Sequence, residues 1–544
     1  MPDKFKENKE QIPVLIVGGG LTGLSAALCL LQQGIRPVLI ERHASTSIHP
    51  RARGFDVRTM ELFRELQLDT SIREAGKALA PAWGIYAGIT LTDILDQRDP
   101  NRQQIKHPIE IPGFEKLAAM SPVAGARCTQ DLSEPLLLQA AIERGADIRF
   151  NTRLLSFTQD ENKVTAYIRN SDTGREETLT CSYMIAADGG SSAIRKALDA
   201  ATVGDGPLGT LLNIYFEADL YELVKGREFS ISLIERPGIT GMIAAINNSN
   251  KWVFHLHYDA QNGEKPADYT TARVEQILRD SIGIPDLPVR VISVLPWKPT
   301  VNVVRHMQHG RIFLAGDAAH QMTPYGGKGA ATGVQDVHNL AWKLALVLQH
   351  KATPALLQTY SEERQPIGLE NALLSGQLAD DKGLINYRKM LDTKDKAGGF
   401  DNTSWMIRML GIPDYTYTSS AVPGATAVEG PHAGGQPGTR IPHVWLHENG
   451  STRSTLDLAV THFTLITDST GTHWQEAASQ AAATFNISIP VQIINDEHWQ
   501  SLTALPAGSA LLVRPDGFIA WRSPSKNINE TKELEQALKT ILSC

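Results

Sequence analysis

The chain has 544 residues, 42% of them hydrophobic and 20% charged, with a formal net charge of −7. That length calls for roughly three or four domain-sized units, and the composition excludes a disordered or fibrous chain. The acidic balance, with no basic stripe in the sequence, excludes nucleic acid as the main partner.

The opening "MPDKFKENKEQ" is charged and has no apolar h-region, so a secretory leader is not expected. No run approaches eighteen apolar residues, so no membrane span is expected either. Next comes "IPVLIVGGGLTGLSAALCLLQQGIRPVLIER". Its pattern predicts a buried strand (Val14 to Val17), glycines, a helix (Leu21 to Gln33), a stop at Gly34 and a second strand (Pro37 to Ile40). That is a βαβ unit, the start of a parallel sheet covered by helices. "LLLQAAIERGADIRFNTRLLSFTQ" reads as a helix, a turn at Gly145 and strands, and "CSYMIAADGGSSAIRKAL" as strand, Asp-Gly turn and helix. Between Leu208 and Val304 the texture becomes strand-like. "GMIAAINNSNKWVFHLHYDA" has two arms around Asn247 to Asn250, which predicts a mostly antiparallel layer inserted between parts of the first unit. "RIFLAGDAAHQMTPYGGKGAATG" follows as a strand (Ile312 to Ala315), a Gly-Asp pair, a loop with Gly326, Gly327 and Gly329, and a helix. A helical, charged stretch to about Leu410, a Gly/Pro-rich linker and a last small α/β unit complete the chain. There is no repeat at solenoid period.

Gly18, Gly20 and Gly23 form GxGxxG directly after a strand and at the start of a helix. The first permits the tight turn, the second lets backbone approach a pyrophosphate, and the third allows the helix to pack on the strand. Unpaired N–H groups and a positive dipole end then face the phosphates. Glu41 ends the second strand about twenty residues on, where a carboxylate binds ribose hydroxyls. The plain alternative is an empty Gly-rich turn with Glu41 as a solvated surface residue. One fingerprint alone does not choose between NAD and FAD.

Three segments together make that choice: "GGGLTG" with Glu41-Arg42, "AADGGSSAIRK", and "FLAGDAAHQMTPYGGKGAATGVQDVHNLAWKL". They resemble the FAD-dependent aromatic hydroxylases, the single-component flavoprotein monooxygenases. "HPRARGFDVRTMELFRELQL" and "CTQDLSEPLLLQAAIERGADIRF" look like the family's loop after the second strand and its Gln-bearing helix. "GTRIPHVWL", "STLDLAVTHFTLI" and "ALLVRPDGFIAWRS" look like the C-terminal thioredoxin-like domain of its polyketide and phenol hydroxylase branch.

The resemblance implies an α/β fold: a Rossmann-like FAD-binding domain, an inserted mostly antiparallel β-sheet substrate domain and a C-terminal thioredoxin-like α/β domain. The corresponding division is 1–80, 105–205 and 300–350 for FAD, 81–104 and 206–299 for the substrate sheet, 351–415 as a helical connection, 416–435 as a linker, and 436–544 as the last domain. It further implies that Gly18, Gly20, Thr22, Gly23, Glu41, Arg42, Arg51, Gln130, Leu154, Asp188, Gly189, Gly316, Asp317, Pro324, Gly329, Ala330 and Ala331 contact the cofactor. Within that set Asp317 would bond the ribityl chain, while Arg51 and Gln130 would brace the phosphates and ribityl chain. Asp188 and Gly189 would lie near the pyrophosphate. The alternative for Asp317 is a helix N-cap, and for Asp188 with Arg195 a structural ion pair.

Two positions depart from the family pattern. Gly329-Ala330-Ala331 stands where many relatives have a Gly-(Met or Leu)-Asn sequence, which removes a side-chain amide near the flavin ring. Lys328 stands where many have Gln; its charge would favour reduced anionic flavin, or it is simply solvated. Pro324 and Lys328 are the only candidates for catalytic positions, since no acid or base is assignable.

The implied reaction is NAD(P)H reduction of FAD, oxygen addition at flavin C4a, and transfer of one oxygen from the hydroperoxide to an electron-rich phenolic or polyketide ring. The cofactor supplies that chemistry, so the lack of a nucleophile triad or metal cluster is expected. Val253, His255 and His257 share one face by strand alternation, so His255, His257 and also Tyr215 are substrate candidates. The plain alternative puts the histidines on the solvent side of the sheet. The four cysteines, Cys29, Cys128, Cys181 and Cys544, include no CxxC pair. The last domain therefore runs no dithiol chemistry and is read as a packing or oligomerisation element, which leaves a homodimer open. A reduced, cytoplasmic setting follows from the same count. Substrate, O2 and NADH or NADPH are the expected partners. A halogenase would carry Trp-x-Trp, and no two of the nine tryptophans are so spaced. An antibiotic-inactivating hydroxylase of a tetracycline- or rifamycin-like compound and a non-catalytic flavoprotein redox sensor are the competing readings.

Overall fold

The structure is a computed structural model, and it describes residues 6–7, 12–80, 84–96, 103–105, 114–386, 407, 410–426, 434–448, 450–524 and 529–544. Most of the charged N-terminus and parts of the 351–415 connection and the 416–435 linker lie outside the described residues.

In chain order, strand β1 (Ile12–Val17) feeds helix α1 (Leu21–Gln32), and β2 (Val38–Ile40) follows. Helix α2 (Val57–Glu65) precedes two strands, β3 (Ile85–Gly88) and β4 (Gln103–Ile105), that join a different sheet. Helix α3 (Gln130–Glu143) returns the chain to the first sheet through β5 (Asp147–Arg149). A hairpin of β6 (Thr152–Gln159) and β7 (Val164–Asn170) then leads into β8 (Glu176–Ala186) and the short helix α4 (Ala193–Ala197). The second sheet is completed by β9 (Leu211–Glu217), β10 (Ile231–Arg236), β11 (Ile239–Ala245), β12 (Lys251–His257) and β13 (Arg290–Trp297), with helix α5 (Thr271–Ile282) before the last strand. Strand β14 (Ile312–Leu314) re-enters the first sheet ahead of the long helices α6 (Lys328–Leu348) and α7 (Gln358–Gln377).

The parallel core of the first sheet runs β14-β8-β1-β2-β5. β1 is central, with later strands added to both sides, so the order reverses at its carboxyl end. In an open α/β sheet a ligand binds at that place. The central strands β1, β2 and β14 are almost wholly apolar because both faces are covered, and Val14, Leu15, Ile16, Leu314 and Ala186 are fully buried.

The second sheet runs β13-β9-β12-β11-β10-β3-β4, antiparallel except where β10 meets β3. β11 and β12 form the hairpin expected around Asn247 to Asn250. Its outer face is apolar, with Ile214, Phe216, Trp252, Phe254 and Leu256 packed on α5 residues Val274, Leu278 and Ile282.

The C-terminal unit has β15 (Thr464–Thr467), α8 (Trp474–Phe485), β16 (Val491–Ile493), β17 (Ala510–Val513), β18 (Ile519–Arg522) and α9 (Glu530–Ile541). The sheet order β16-β15-β17-β18, parallel only between the first two, is a thioredoxin-like arrangement. The turn between β17 and β18, Arg514 to Gly517, reaches into the first unit. Arg514 is bound there by Glu363 of α7 at 2.6 and 2.9 Å, and Asp516 Oδ2 accepts from Asn339 of α6 at 3.3 Å.

Candidate functional site

Around the carboxyl end of β1 the backbone is packed so closely that only glycine fits. A Cβ on Gly18 would sit 2.2 Å from the Ala187 carbonyl oxygen, and one on Gly23 1.9 Å from that of Gly18. Gly18 also has φ +111°, a conformation that favours glycine. Gly20 is the N-cap of α1 and offers no side chain to the first-turn amides, which is the condition for an anion to take them. Glu41 turns back onto this loop: its Oε2 accepts from Gly19 N at 2.6 Å, and its Oε1 from His43 N at 2.9 Å. Leu154 lies two residues along β6 from Thr152, whose N–H donates to the Glu41 carbonyl. Arg42 and Arg51 are exposed beside this end.

Thr22 ties the first loop to the Gly-Asp turn. A Cβ on Gly316 would lie 2.5 Å from Thr22 Oγ1, and one on Gly333 of α6 2.4 Å from the same atom. Asp317 caps no helix; it is exposed and yet ringed by protein, and that enclosure raises its carboxyl pKa. Asp336 of α6 holds the turn from behind. Its Oδ2 accepts from Gly316 N at 3.1 Å and meets His320 Nε2 at 2.6 Å, and its Oδ1 accepts from Arg364 Nε at 2.9 Å.

Arg195 does not form the ion pair with Asp188 that the sequence offered as an alternative. Its guanidinium donates to the carbonyl oxygens of Ala318 (2.9 Å), Asp317 (3.2 Å) and Gly190 (2.5 Å). Asp188 instead accepts from Ser192 Oγ at 2.6 Å and Ile194 N at 3.3 Å, beside Gly189 at φ +81°. Arg195 therefore staples the Asp-Gly turn to the Gly-Asp turn with a rigid fork of donors.

The Gln130 side-chain amide donates to Glu134 Oε1 at 2.6 Å, while Glu134 Oε2 accepts from Ser47 N at 2.8 Å. Glu134 is buried beside Gly20, and burial raises its pKa. Nothing in a single sequence marks Glu134, apart from its place one helical turn after Gln130.

Helix α6 begins after Gly327, at φ +65° and without a side-chain cap, so its first amides face outward beside the exposed Pro324. Gly329 is half-buried, close to Asp317 and Met322, with Ala330 half-buried and Ala331 buried behind it. Lys328 is not solvated: it is 6% exposed, with Nζ 3.6 Å from Asp56 Oδ2. Tyr325 is buried, donates to the Gly383 carbonyl at 2.8 Å, and packs with Leu211, Leu233 and Met242 of the second sheet. The cradle and the inner face of that sheet thus meet through this loop.

Tyr215, His255 and His257 all lie on that inner face, where Tyr215 pairs with Val253 and Leu211 with His257. The solvent-side alternative fails for His255. Its Nδ1 is fully enclosed, its ring lies 5.6 Å from that of Trp297, and burial with neighbouring Arg53, His49 and Arg51 lowers its pKa to about 3. His49, in the loop before Arg51, closes over the face with its ring 5.5 Å from that of Tyr215. Arg53 fastens the same loop by donating to the carbonyls of Ser230 and Ala245 at 2.9 and 3.2 Å. Sequence reasoning missed His49, Asn213 and the segment at Leu384-Ile385, because only the sheet and the loops brought them together.

Residues 11–372 match the family described as FAD binding domain, and residues 434–543 match the family described as aromatic-ring hydroxylase, C-terminal. The chain belongs to the FAD-dependent aromatic-ring hydroxylases. It is 40% identical to tetracenomycin B2 monooxygenase-dioxygenase of Streptomyces olivaceus, over 98% of this chain and 99% of that one. To tetracenomycin A2 monooxygenase-dioxygenase of Streptomyces glaucescens it is 37% identical, over 98% and 97%. Among solved structures, a ternary complex of aklavinone-11 hydroxylase with FAD and aklavinone superposes with TM-score 0.84 at 29% identity, covering 99% of this chain and 100% of that one. This hydroxylase is therefore a flavoprotein of the polyketide and aromatic branch. No described helix is long and apolar enough to cross a membrane, and no cluster among the described residues could hold a metal ion.

Proposed function

We propose that this hydroxylase is an NAD(P)H- and O2-using monooxygenase that adds one oxygen to a phenolic or polyketide ring. The observation that carries the reading is the meeting, through Tyr325, of a dinucleotide cradle with a half-polar sheet face, in a chain similar end to end to aromatic monooxygenases. The residues present fit FAD. Gly18, Gly20 and Gly23 would take the pyrophosphate, Glu41, Arg42 and Leu154 the adenosine end, and Asp317 the ribityl chain, with Arg51, Gln130 and Asp188-Gly189 bracing them. The free amides around Gly329, Ala330 and Ala331 would hold the pyrimidine edge, where a helix N-terminus stabilises negative charge. When bound, FAD supplies the redox and oxygen chemistry. The chain binds and orients the ring and excludes water. Pro324 would wall the reaction space, and Lys328 would add positive charge held in place by Asp56. Tyr215, His255 and His257 would face the substrate.

The test is NAD(P)H oxidation by the purified holoprotein across a panel of phenols and anthraquinones, with mass analysis for one added oxygen. Stimulation with product is expected. Stoichiometric peroxide without any oxygenated product across the panel would overturn the reading, as would failure to bind FAD. NAD(P)H oxidation that does not respond to any ring would favour a redox sensor.

A further inference from the structure

The inner face of the second sheet is divided. Directly opposed residues form one row, Leu295, Asn213, His255, Met242, Leu233 and Ala87, across β13, β9, β12, β11, β10 and β3. The adjacent row reads Ser293, Tyr215, Val253, Ala244, Ile231 and Ile85. The half on β11, β10 and β3 is apolar and roofed by Tyr325, Leu384 and Ile385. The half on β13, β9 and β12 carries the polar groups, with His49 over Tyr215 as its cover.

Those polar groups are enclosed and have no hydrogen-bond partner among the described residues: Asn213 Oδ1, His255 Nδ1, Ser293 Oγ and both ring nitrogens of His49. Asn213 and His49 are each 7% exposed. A buried polar atom left unpaired costs about 1–3 kcal/mol, and folded proteins leave few of them. Several facing one space make a site whose partners come from outside the chain.

Resting on the proposed function, we infer that Asn213, His255 and His49 read an oxygenated edge of the substrate, binding ring hydroxyl or carbonyl oxygens and so choosing which edge enters. The charges around the rings are of both signs, with Arg53 and Arg51 acting on His255 and the Asp131 carboxylate acting on His49. Burial and Arg51 lower the pKa of His49 to about 4, and His255 is lower still. Both rings are therefore neutral near pH 7, and each offers one donor and one acceptor nitrogen. An amide with both functions completes the set. The ligand is a polycyclic phenol or quinone with oxygens on one side.

The experiment uses the full chain with FAD bound and titrates it calorimetrically with 1,8-dihydroxyanthraquinone and with its dimethyl ether. The wild type should bind the diol about tenfold more tightly or better, the scale of one lost buried hydrogen bond. Asn213→Leu and His255→Leu should each bring that ratio close to one by weakening the diol, while His255→Gln should keep most of it. If a leucine variant loses FAD, alanine at the same position is read the same way. A wild-type ratio near one, or a ratio unchanged in both positions' variants, overturns the inference. Failure of the proposed function is separately visible, as absent ring-stimulated NAD(P)H oxidation with the binding ratio intact.

Discussion

Two buried polar regions of this hydroxylase have opposite character. At the seam with the C-terminal unit, Glu363 is ringed by donors: Arg514 at 2.6 and 2.9 Å, Lys343 at 2.9 Å, Asn339 at 2.7 Å and Ser419 at 2.6 Å. Asp516 closes the other side of Arg514, and Arg514, Lys343, Glu363 and Asp516 together are neutral. At the sheet face, Asn213 and His49 are buried and His255 is half-buried, and all three keep enclosed, unpaired atoms. A satisfied network holds parts of a chain together, and breaking it costs stability. An unsatisfied one already carries its cost, and removing it costs function.

The comparison can be broken in order of effect. Arg514→Met should be the most damaging change. It strands Glu363 and Asp516 in the interior, which costs about 3–5 kcal/mol, and thermal unfolding should show the loss together with release of the C-terminal unit to limited proteolysis. An unchanged midpoint would mean that the seam is not held by charge. Arg195→Met should come next: losing charge-assisted bonds to three carbonyls costs about 1.5–3 kcal/mol. The two turns of the cradle would then separate, so FAD affinity should fall more than melting temperature, as read by fluorescence titration of the flavin. At the face the sign reverses. His255→Leu should leave the unfolding midpoint within about 0.5 kcal/mol of wild type or raise it, since it removes an unpaired polar group, while ring-stimulated turnover falls.

The same contrast can be sharpened with acid. His255 and His49 have folded-state pKa values lowered from 6.5 to about 3 and about 4. The unfolded chain thus binds more protons between those values, so stability rises with pH across the window and is lost as pH falls from 6.5 toward 3. Urea unfolding at pH 7 and pH 5 should show wild type losing more stability than His255→Leu. An equal loss would mean that the imidazole is not enclosed when the protein is folded.

Much of the cradle was legible because its constraints are local. GxGxxG, Glu41 and the Gly-Asp pair each stand out by spacing within a short segment, and at Gly18 and Gly23 a Cβ would collide with backbone oxygen. The face pattern was legible in part: strand alternation put Val253, His255 and His257 together, but could not say which face turns inward. The solvated alternative for Lys328 fails, since its ammonium is buried beside Asp56, far earlier in the chain. The alternative ion pair of Arg195 with Asp188 does not form, because two of the carbonyls that Arg195 uses belong to a turn over a hundred residues away.

By itself, then, the sequence determined the glycine-rich loops, the inserted sheet and the lack of a CxxC pair, because each rests on spacing or on which residue types are present. Tertiary structure alone decided that the Arg514 turn closes a charge network inside another unit. It also decided that His49 and Asn213 share an enclosed space with His255. Pairing and burial of polar groups depend on what long-range folding brings within hydrogen-bond reach, about 3 Å, and no local pattern encodes that distance.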